Sequence, residues 1–373
     1  MAANATGRTA HRVVVKVGTN LLTNGGDSLC RPVMLDLVRQ VAQLAGKGHQ
    51  VALVSSGAIV AGHEALHRAI DARNIPFKQV LAAVGQARLM HTWDELFGHY
   101  GLTVAQTLLT RADLGDRLRY LNARNTLLAL LAQGVIPIVN ENDVVAVEEI
   151  KIGDNDNLSA LVANLVDADL LVLLTDLSGL YTADPRKDPS ATLIVEVPVI
   201  SDEIVRLAAG AGTLRGTGGM VTKVQAARLA TDSGVTVVIA GGTTDNVLAR
   251  AVTGESVGTR FPAAKSGVES RKRWILAGLA GRATAAIDRG AADALGRGRS
   301  LLPAGVTGVD GRFDRGDSIE VVGPDGRRVA CGVANYSAAD LDRIKGCQSS
   351  QIASMLGYHY GDEAIHRDNL VVL

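Results

Sequence analysis

Aromatic side chains are scarce: Phe, Trp and Tyr together make up 3% of the residues. Proteins that grip single-stranded nucleic acid by stacking its bases need such rings, so few stacking platforms can be built here. An excess of one charge is also missing. Lys plus Arg and Asp plus Glu number 38 each, for a formal net charge of zero. That balance argues against bulk nucleic acid or an anionic membrane as a chain-wide partner and leaves room for a local charged site. The three cysteines, Cys30, Cys331 and Cys347, lie far apart without a CxxC pair. They make neither a disulfide framework nor a zinc site, and read as reduced thiols of a cytosolic protein. Apolar runs such as Leu170 to Leu174 fall well short of the roughly 20 residues that cross a bilayer. The first dozen residues lack the apolar segment of a secretory signal and read as a frayed tail. A soluble, cytoplasmic protein is expected.

What is present is an ordinary globular composition, 47% apolar and 20% charged. At 373 residues the chain exceeds what a single core usually supports, so two or three domains are expected. Short β-branched runs alternate with helical stretches over the first two-thirds. Strands are read at Val13 to Val17, Gln50 to Ser55, Leu102 to Leu108, Gly134 to Val139, Ala168 to Leu174 and Val235 to Ala240. Helices are read at Pro32 to Lys47, Ala58 to Arg68, Phe77 to Tyr100, Leu118 to Gln133 and Gly219 to Ser233. Strands apolar on both faces are covered by helices on both sides. The pattern predicts a three-layer αβα sandwich with a mostly parallel sheet. After about residue 260 the character changes to short strands and Gly/Pro turns, with Gly323-Pro324-Asp325-Gly326 a hairpin signal. A small β-rich domain is expected there, the boundaries being 1–265, a linker at 266–280, and 281–373.

Ligands in such sheets bind at the carboxyl ends of the strands. Lys16 stands inside an otherwise apolar strand, which is costly unless its ammonium reaches an anion. A snorkelling lysine is the alternative, but Gly18-Thr19 permits close approach of a phosphate. Ser55-Ser56-Gly57 lies between a strand and a helix, where a plain N-cap explains it as well as an anion site does. Two Asn/Asp clusters, Asn140-Glu141-Asn142-Asp143 and Gly153-Asp154-Asn155-Asp156-Asn157, sit at strand-to-helix junctions. One would be turn chemistry; two point to a polar site for an amino group, a carboxylate or Mg²⁺. Gly216-Thr217-Gly218-Gly219 feeds a helix that carries Lys223, a phosphate cradle by mechanism although not a Walker A motif. His63 and His67 lack the Glu of an HExxH site and read as surface or core residues. No nucleophile set for covalent catalysis stands out.

Six stretches together resemble the glutamate 5-kinase family, which has the amino-acid kinase fold. They are VVVKVGTN from Val13, SSGAIVAG from Ser55, NENDVVA from Asn140, KIGDNDNLSALVA from Lys151, LLTDLSGLYTADPR from Leu173 and GTGGMVTK from Gly216. Ser55 stands where a threonine is common. The segment Arg289 to Gly332 resembles the family's C-terminal PUA module. The resemblance implies ATP and Mg²⁺ as cofactors and L-glutamate as the phosphoryl acceptor. It assigns Lys16, Lys223 and Asp156 to catalysis, the aspartate orienting the lysines. Lys16, Thr175, Asp176 and the run Thr217, Gly218, Gly219, Met220, Val221, Thr222 and Lys223 fall to ATP, and Ser56, Asp143 and Asn155 to glutamate. No residue is assigned to Mg²⁺. It further implies feedback inhibition by proline, a homo-oligomer (dimer or tetramer) and handover of product to a reductase. Two other readings compete: a related kinase with another acid substrate, and RNA binding by the PUA-like module. Residues 271–373 carry 14 Lys/Arg against 12 Asp/Glu, a weak electrostatic footprint for RNA.

Overall fold

The computed structural model describes residues 11–67, 74–146, 155–209, 219–264 and 283–373. Packing divides the chain into two units, Met1–Gly115 with Asn122–Ser266, and Gly267–Leu373 with Asp116–Leu121. The expected linker at 266–280 lies outside the described residues.

In the first unit the strands are β1 (Arg12–Val17), β2 (Gln50–Ser55), β3 (Val104–Leu109), β4 (Ile136–Glu141), β5 (Leu170–Thr175), β6 (Thr236–Gly241) and β7 (Thr259–Phe261). The helices are α1 (Thr19–Leu22), α2 (Arg31–Gly46), α3 (Ala58–Leu66), α4 (Ile75–Gly98), α5 (Arg111–Gly115), α6 (Arg117–Ala132), α7 (Asn155–Leu165), α8 (Asp202–Ala209), α9 (Met220–Asp232) and α10 (Val247–Thr253). The sheet runs β3-β4-β2-β1-β5-β6-β7. Every neighbouring pair is parallel except β6 and β7. From β1 the chain moves to β2 on one side, and from β5 to β6 on the other. The direction therefore reverses between β1 and β5, and sheets of this kind bind ligands in the crevice outside the strand ends at such a point.

Period-2 alternation sends the side chains of β1 to opposite faces. Val13, Val15 and Val17 join the core built with α2, α4 and α10. Lys16 shares the other face with Val14, the side on which α7 and α9 pack. Two local readings differ from the structure. The sequence reading places no helix between the first strand and Pro32, yet the chain continues into α1 because Leu21 and Leu22 are buried there. The fourth strand was ended at Val139. It runs on because Asn140 and Glu141 still pair with Leu108 and Leu109 of β3.

Helices α3 and α4 cross at a contact too close for side chains. A Cβ on Gly62 would lie 1.9 Å from the Leu81 carbonyl oxygen, and one on Gly85 would lie 1.8 Å from that of Ala58. Only hydrogen fits at either position.

The second unit holds β8 (Thr284–Ile287), α11 (Arg289–Gly296), β9 (Val306–Asp310), β10 (Ser318–Val322), β11 (Arg328–Val333), α12 (Ala338–Ile344), α13 (Ile352–Leu356) and β12 (Leu370–Val372). Its sheet order is β12-β11-β10-β8-β9, with β10 and β11 antiparallel on either side of the Gly323–Gly326 turn. Ile319, Val321, Tyr336 and Ile365 are among the buried residues of its own core. Among the described residues, no helix is long and apolar enough to cross a membrane.

The α3–α4 contact makes a prediction. Gly85→Ala forces backbone apart, and overpacking of that kind costs about 3 kcal/mol. A thermal melt should fall by about 6–12 °C. Gly46→Ala, where nothing lies within 4 Å of the added carbon, should leave the melt unchanged or slightly raised.

Candidate active site

Three strands end side by side at the crevice. Val17 pairs with Ser55 of β2 and with Leu174 of β5, and the Ser56 amide donates to the Val17 carbonyl at 3.1 Å. Gly18, Ser56 and Thr175 are thus brought to one edge by register alone. Helix α7 starts at the same edge, with Asn155 and Asp156 in its first turn. Helix α9 brings Lys223 from its own first turn. Its N-cap is Gly219, at φ 93° and ψ −143°, a conformation essentially closed to residues with a Cβ.

The charged half of the site is one carboxylate shared by two ammonium groups. Lys16 Nζ lies 2.7 Å from Asp156 Oδ1, and Lys223 Nζ lies 3.2 Å from Asp156 Oδ2. All three residues are buried, at 5%, 3% and 8% exposure for Lys16, Asp156 and Lys223. Thr222 Oγ1 donates to the same Oδ2 at 2.7 Å. Burial pushes the Asp156 carboxyl up, but Lys16 and Lys223, with hydrogen bonds from Lys16 and Thr222, outweigh it and hold the group below its ordinary value. Within this group of described residues, two ammonium groups face one carboxylate in a desolvated setting. An anion gains more there than in water, because opposite charges attract more strongly at low effective dielectric. A Cβ on Gly18 would stand 3.3 Å from Lys16 Nζ, so the glycine leaves that ammonium open to backbone-close approach.

The polar half is built from amides. Asn155 Nδ2 donates to Ser56 Oγ at 2.8 Å and to Asn140 Oδ1 at 3.1 Å. Asn140 Nδ2 donates to Gln86 Oε1 at 2.8 Å, and its Oδ1 also accepts the Glu141 amide at 2.9 Å. The buried Asn155 Oδ1 has no partner among the described residues. A buried acceptor left unpaired costs about 1–3 kcal/mol, so a ligand that donates to it, such as an ammonium group, recovers that cost.

Of the residues singled out in the sequence, Lys16, Asp156, Thr222 and Lys223 meet around one carboxylate, and Ser56 meets Asn155. Asp143 is half-buried in the loop after β4, where its carbonyl accepts from Gln79 Nε2 at 3.2 Å. Thr175 Oγ1 donates to Asp176 Oδ1 at 2.9 Å, and the exposed Asp176 pairs with Arg186 at 2.7 Å. Met220 and Val221 lie on the first turn of α9, Val221 buried. Thr217 and Gly218 lie outside the described residues, as do Gly153 and Asp154. Sequence reading missed Gln79, Gln86 and Trp93 of α4. Their type and spacing are those of an ordinary helix, and their partners are distant in the chain. Trp93 Nε1 donates to Ser55 Oγ at 3.1 Å. Among the described residues no three His, Cys, Asp or Glu side chains converge as a metal cage.

The pair geometry predicts a pH dependence. Asp156 is held below its ordinary value of 3.8, so its stabilisation is complete above that pH and fades as pH falls through the lower folded value. Asp156→Asn leaves two buried ammonium groups without their counter-charge and should cost about 3–5 kcal/mol at neutral pH. Urea unfolding from pH 7 down to pH 3 should show the gap between wild type and variant constant at first and then shrinking below about pH 4. A gap that stays constant to pH 3 would contradict this.

Comparison with known proteins places the chain. Residues 11–241 match the model of the amino acid kinase family, and residues 284–356 match the PUA domain. The chain is 58% identical to a glutamate 5-kinase of Herpetosiphon aurantiacus over 361 residues, 96% of this chain and 98% of that protein. It is 55% identical to one of Shewanella amazonensis over 97% of this chain and 96% of that one. Against one of Deinococcus radiodurans the identity is 54%, over 97% and 100%. The chain belongs to the amino acid kinase family, carries a C-terminal PUA domain, and within that family stands among the glutamate 5-kinases.

Proposed function

We propose that the protein transfers the γ-phosphoryl group of ATP to the γ-carboxylate of L-glutamate, giving L-glutamyl 5-phosphate and ADP, the first step of proline biosynthesis. The observation that carries this reading is the Lys16–Asp156–Lys223 group, two ammonium groups on one carboxylate buried at the strand ends. Beside it stands an amide cluster in which Asn155 Oδ1, a buried acceptor with no partner among the described residues, suits an amino acid's ammonium. The names of the relatives agree with it.

The chemistry follows from charge. An oxygen of the γ-carboxylate attacks the γ-phosphorus while the bond from phosphorus to the bridging β,γ-oxygen breaks, and ADP leaves with that electron pair. The carboxylate is already ionised, so no general base is required. Both reactants are anions, and catalysis reduces to alignment and neutralisation. Lys16 and Lys223 meet the transferring phosphoryl oxygens, helped by backbone N–H groups near Gly18 and Gly219. Asp156 holds both ammonium groups in place and keeps them from repelling each other. About 3–4 kcal/mol of preferential transition-state stabilisation from such contacts is worth roughly a hundred- to thousandfold in rate. Thr175 and Asp176, with Thr217 to Lys223, serve the nucleotide; Ser56, Asp143 and Asn155 serve glutamate. Mg²⁺ bound beside the nucleotide would supply neutralisation of its phosphate oxygens.

The same reading puts the kinase domain at 1–265 and the PUA-like domain at 281–373, joined by 266–280, in a cytoplasmic homo-oligomer. It includes feedback inhibition by proline at or beside the glutamate site, and handover of the labile acyl phosphate to a reductase.

A coupled ADP-release assay with glutamate, acetylglutamate and aspartate tests the acceptor: turnover should require glutamate, and equal or better turnover with either alternative refutes the assignment. Lys223→Ala should lower kcat at least about a hundredfold with modest change in KM; unchanged turnover removes Lys223 from catalysis. Asp143→Ala and Asn155→Ala should raise the KM for glutamate and leave that for ATP nearly intact. An equal loss for both substrates would mean global damage instead.

A further inference from the structure

Helix α4 carries Gln79, Gln86 and Trp93 at a seven-residue spacing. Seven residues are close to two helical turns, about 10.5 Å of axis, so the three share one stripe. Each member holds a different part of the amide half of the site. Gln79 Nε2 donates to the carbonyls of Asp143 at 3.2 Å and Val144 at 3.0 Å. Gln86 Oε1 accepts from Asn140 Nδ2 at 2.8 Å. Trp93 Nε1 donates to Ser55 Oγ at 3.1 Å, and that hydroxyl donates to the Ser56 carbonyl at 2.9 Å. These are the segments that carry Asp143, Asn155's partner Asn140, and Ser56.

The middle contact also sets direction. A side-chain amide can point either way unless its neighbours decide. The Glu141 backbone N–H can only donate, so it fixes Oδ1 of Asn140 toward itself. Asn140 Nδ2 must then face Gln86, which supplies the acceptor, while Asn155 must turn its own Nδ2 toward Asn140 Oδ1. The outcome is that Asn155 presents an acceptor rather than a donor. Gln86 keeps Asn140 satisfied in the one orientation that permits this.

We infer that this stripe is the positioning element for the acceptor acid, with Gln86 acting through Asn140 on Asn155, and that it has no part in binding the nucleotide. The inference rests on the glutamate reading above. Steady-state kinetics of the full-length enzyme test it, with thermal melts as a folding control. Gln86→Met keeps length and removes the acceptor. Trp93→Phe keeps the ring against Phe97, whose centroid is 6.0 Å away, and removes the N–H. Gln86→Met should raise the KM for glutamate about tenfold, the size of one ordinary hydrogen bond, with the KM for ATP within about twofold. Trp93→Phe should shift the same constant in the same direction by a smaller factor. In the double variant Gln86→Met/Asn155→Ala the glutamate KM should equal that of Asn155→Ala alone, because the two act in series. An unchanged glutamate KM in both single variants overturns the inference. So does a parallel rise for ATP, or a double variant whose effect is the product of the singles. If Gln86→Met fails to fold, Trp93→Phe and Gln79→Ala carry the same comparison. Wild-type enzyme that phosphorylates another acid and not glutamate refutes the substrate reading itself; the stripe is then judged by the KM for that acid.

Discussion

Asp156 sits between Lys16 and Lys223, and no member of the group could be buried by itself. An unpaired ion in a protein interior either loses its charge or destabilises the fold. The strand position of Lys16, the first turn of α7 and the first turn of α9 are therefore tied to one another through a single carboxylate. Thr222 adds a third contact to that carboxylate. Within this group of described residues, two ammonium groups share one carboxylate at the point where the sheet changes direction.

The two halves of the site use different physics. Under the proposed reading, charge would serve the phosphoryl group, whose oxygens must be neutralised whichever way they turn. Directional amides would serve the acceptor, where a donor and an acceptor must be told apart. The halves meet because α7 places Asn155 and Asp156 in adjacent positions, one facing the amides and the other the lysines. A single helix start thus sets the distance between the amide half and the charged half.

Much of this was legible in the sequence, for reasons that differ by element. Six of the seven strands of the first unit were read from the sequence, most through apolar runs, and Lys16 stood out because it interrupted one; the short β7 was not read. The residues alone suggested an anion for that lysine and favoured a phosphate; that Asp156 orients it came from resemblance, and the fold pairs the two. Asn140 looked like a turn residue because asparagine favours turns, whereas its pairing with β3 keeps it in the strand. The α4 stripe left no mark, since Gln79, Gln86 and Trp93 matter only through segments reached by folding. Gly62 and Gly85 were equally silent: glycine within a helix normally signals weakness, and here it signals contact.

That contact between α3 and α4 has a consequence for how such a pocket can change over time. Most helix pairs trade large side chains for small ones and drift past each other as sequences diverge. Where two backbones touch, there is nothing to trade. The Ser56 segment that leads into α3 and the stripe on α4 are welded at a fixed offset, so change at this place must come from exchanging side chains within an unchanged frame rather than from moving the frame.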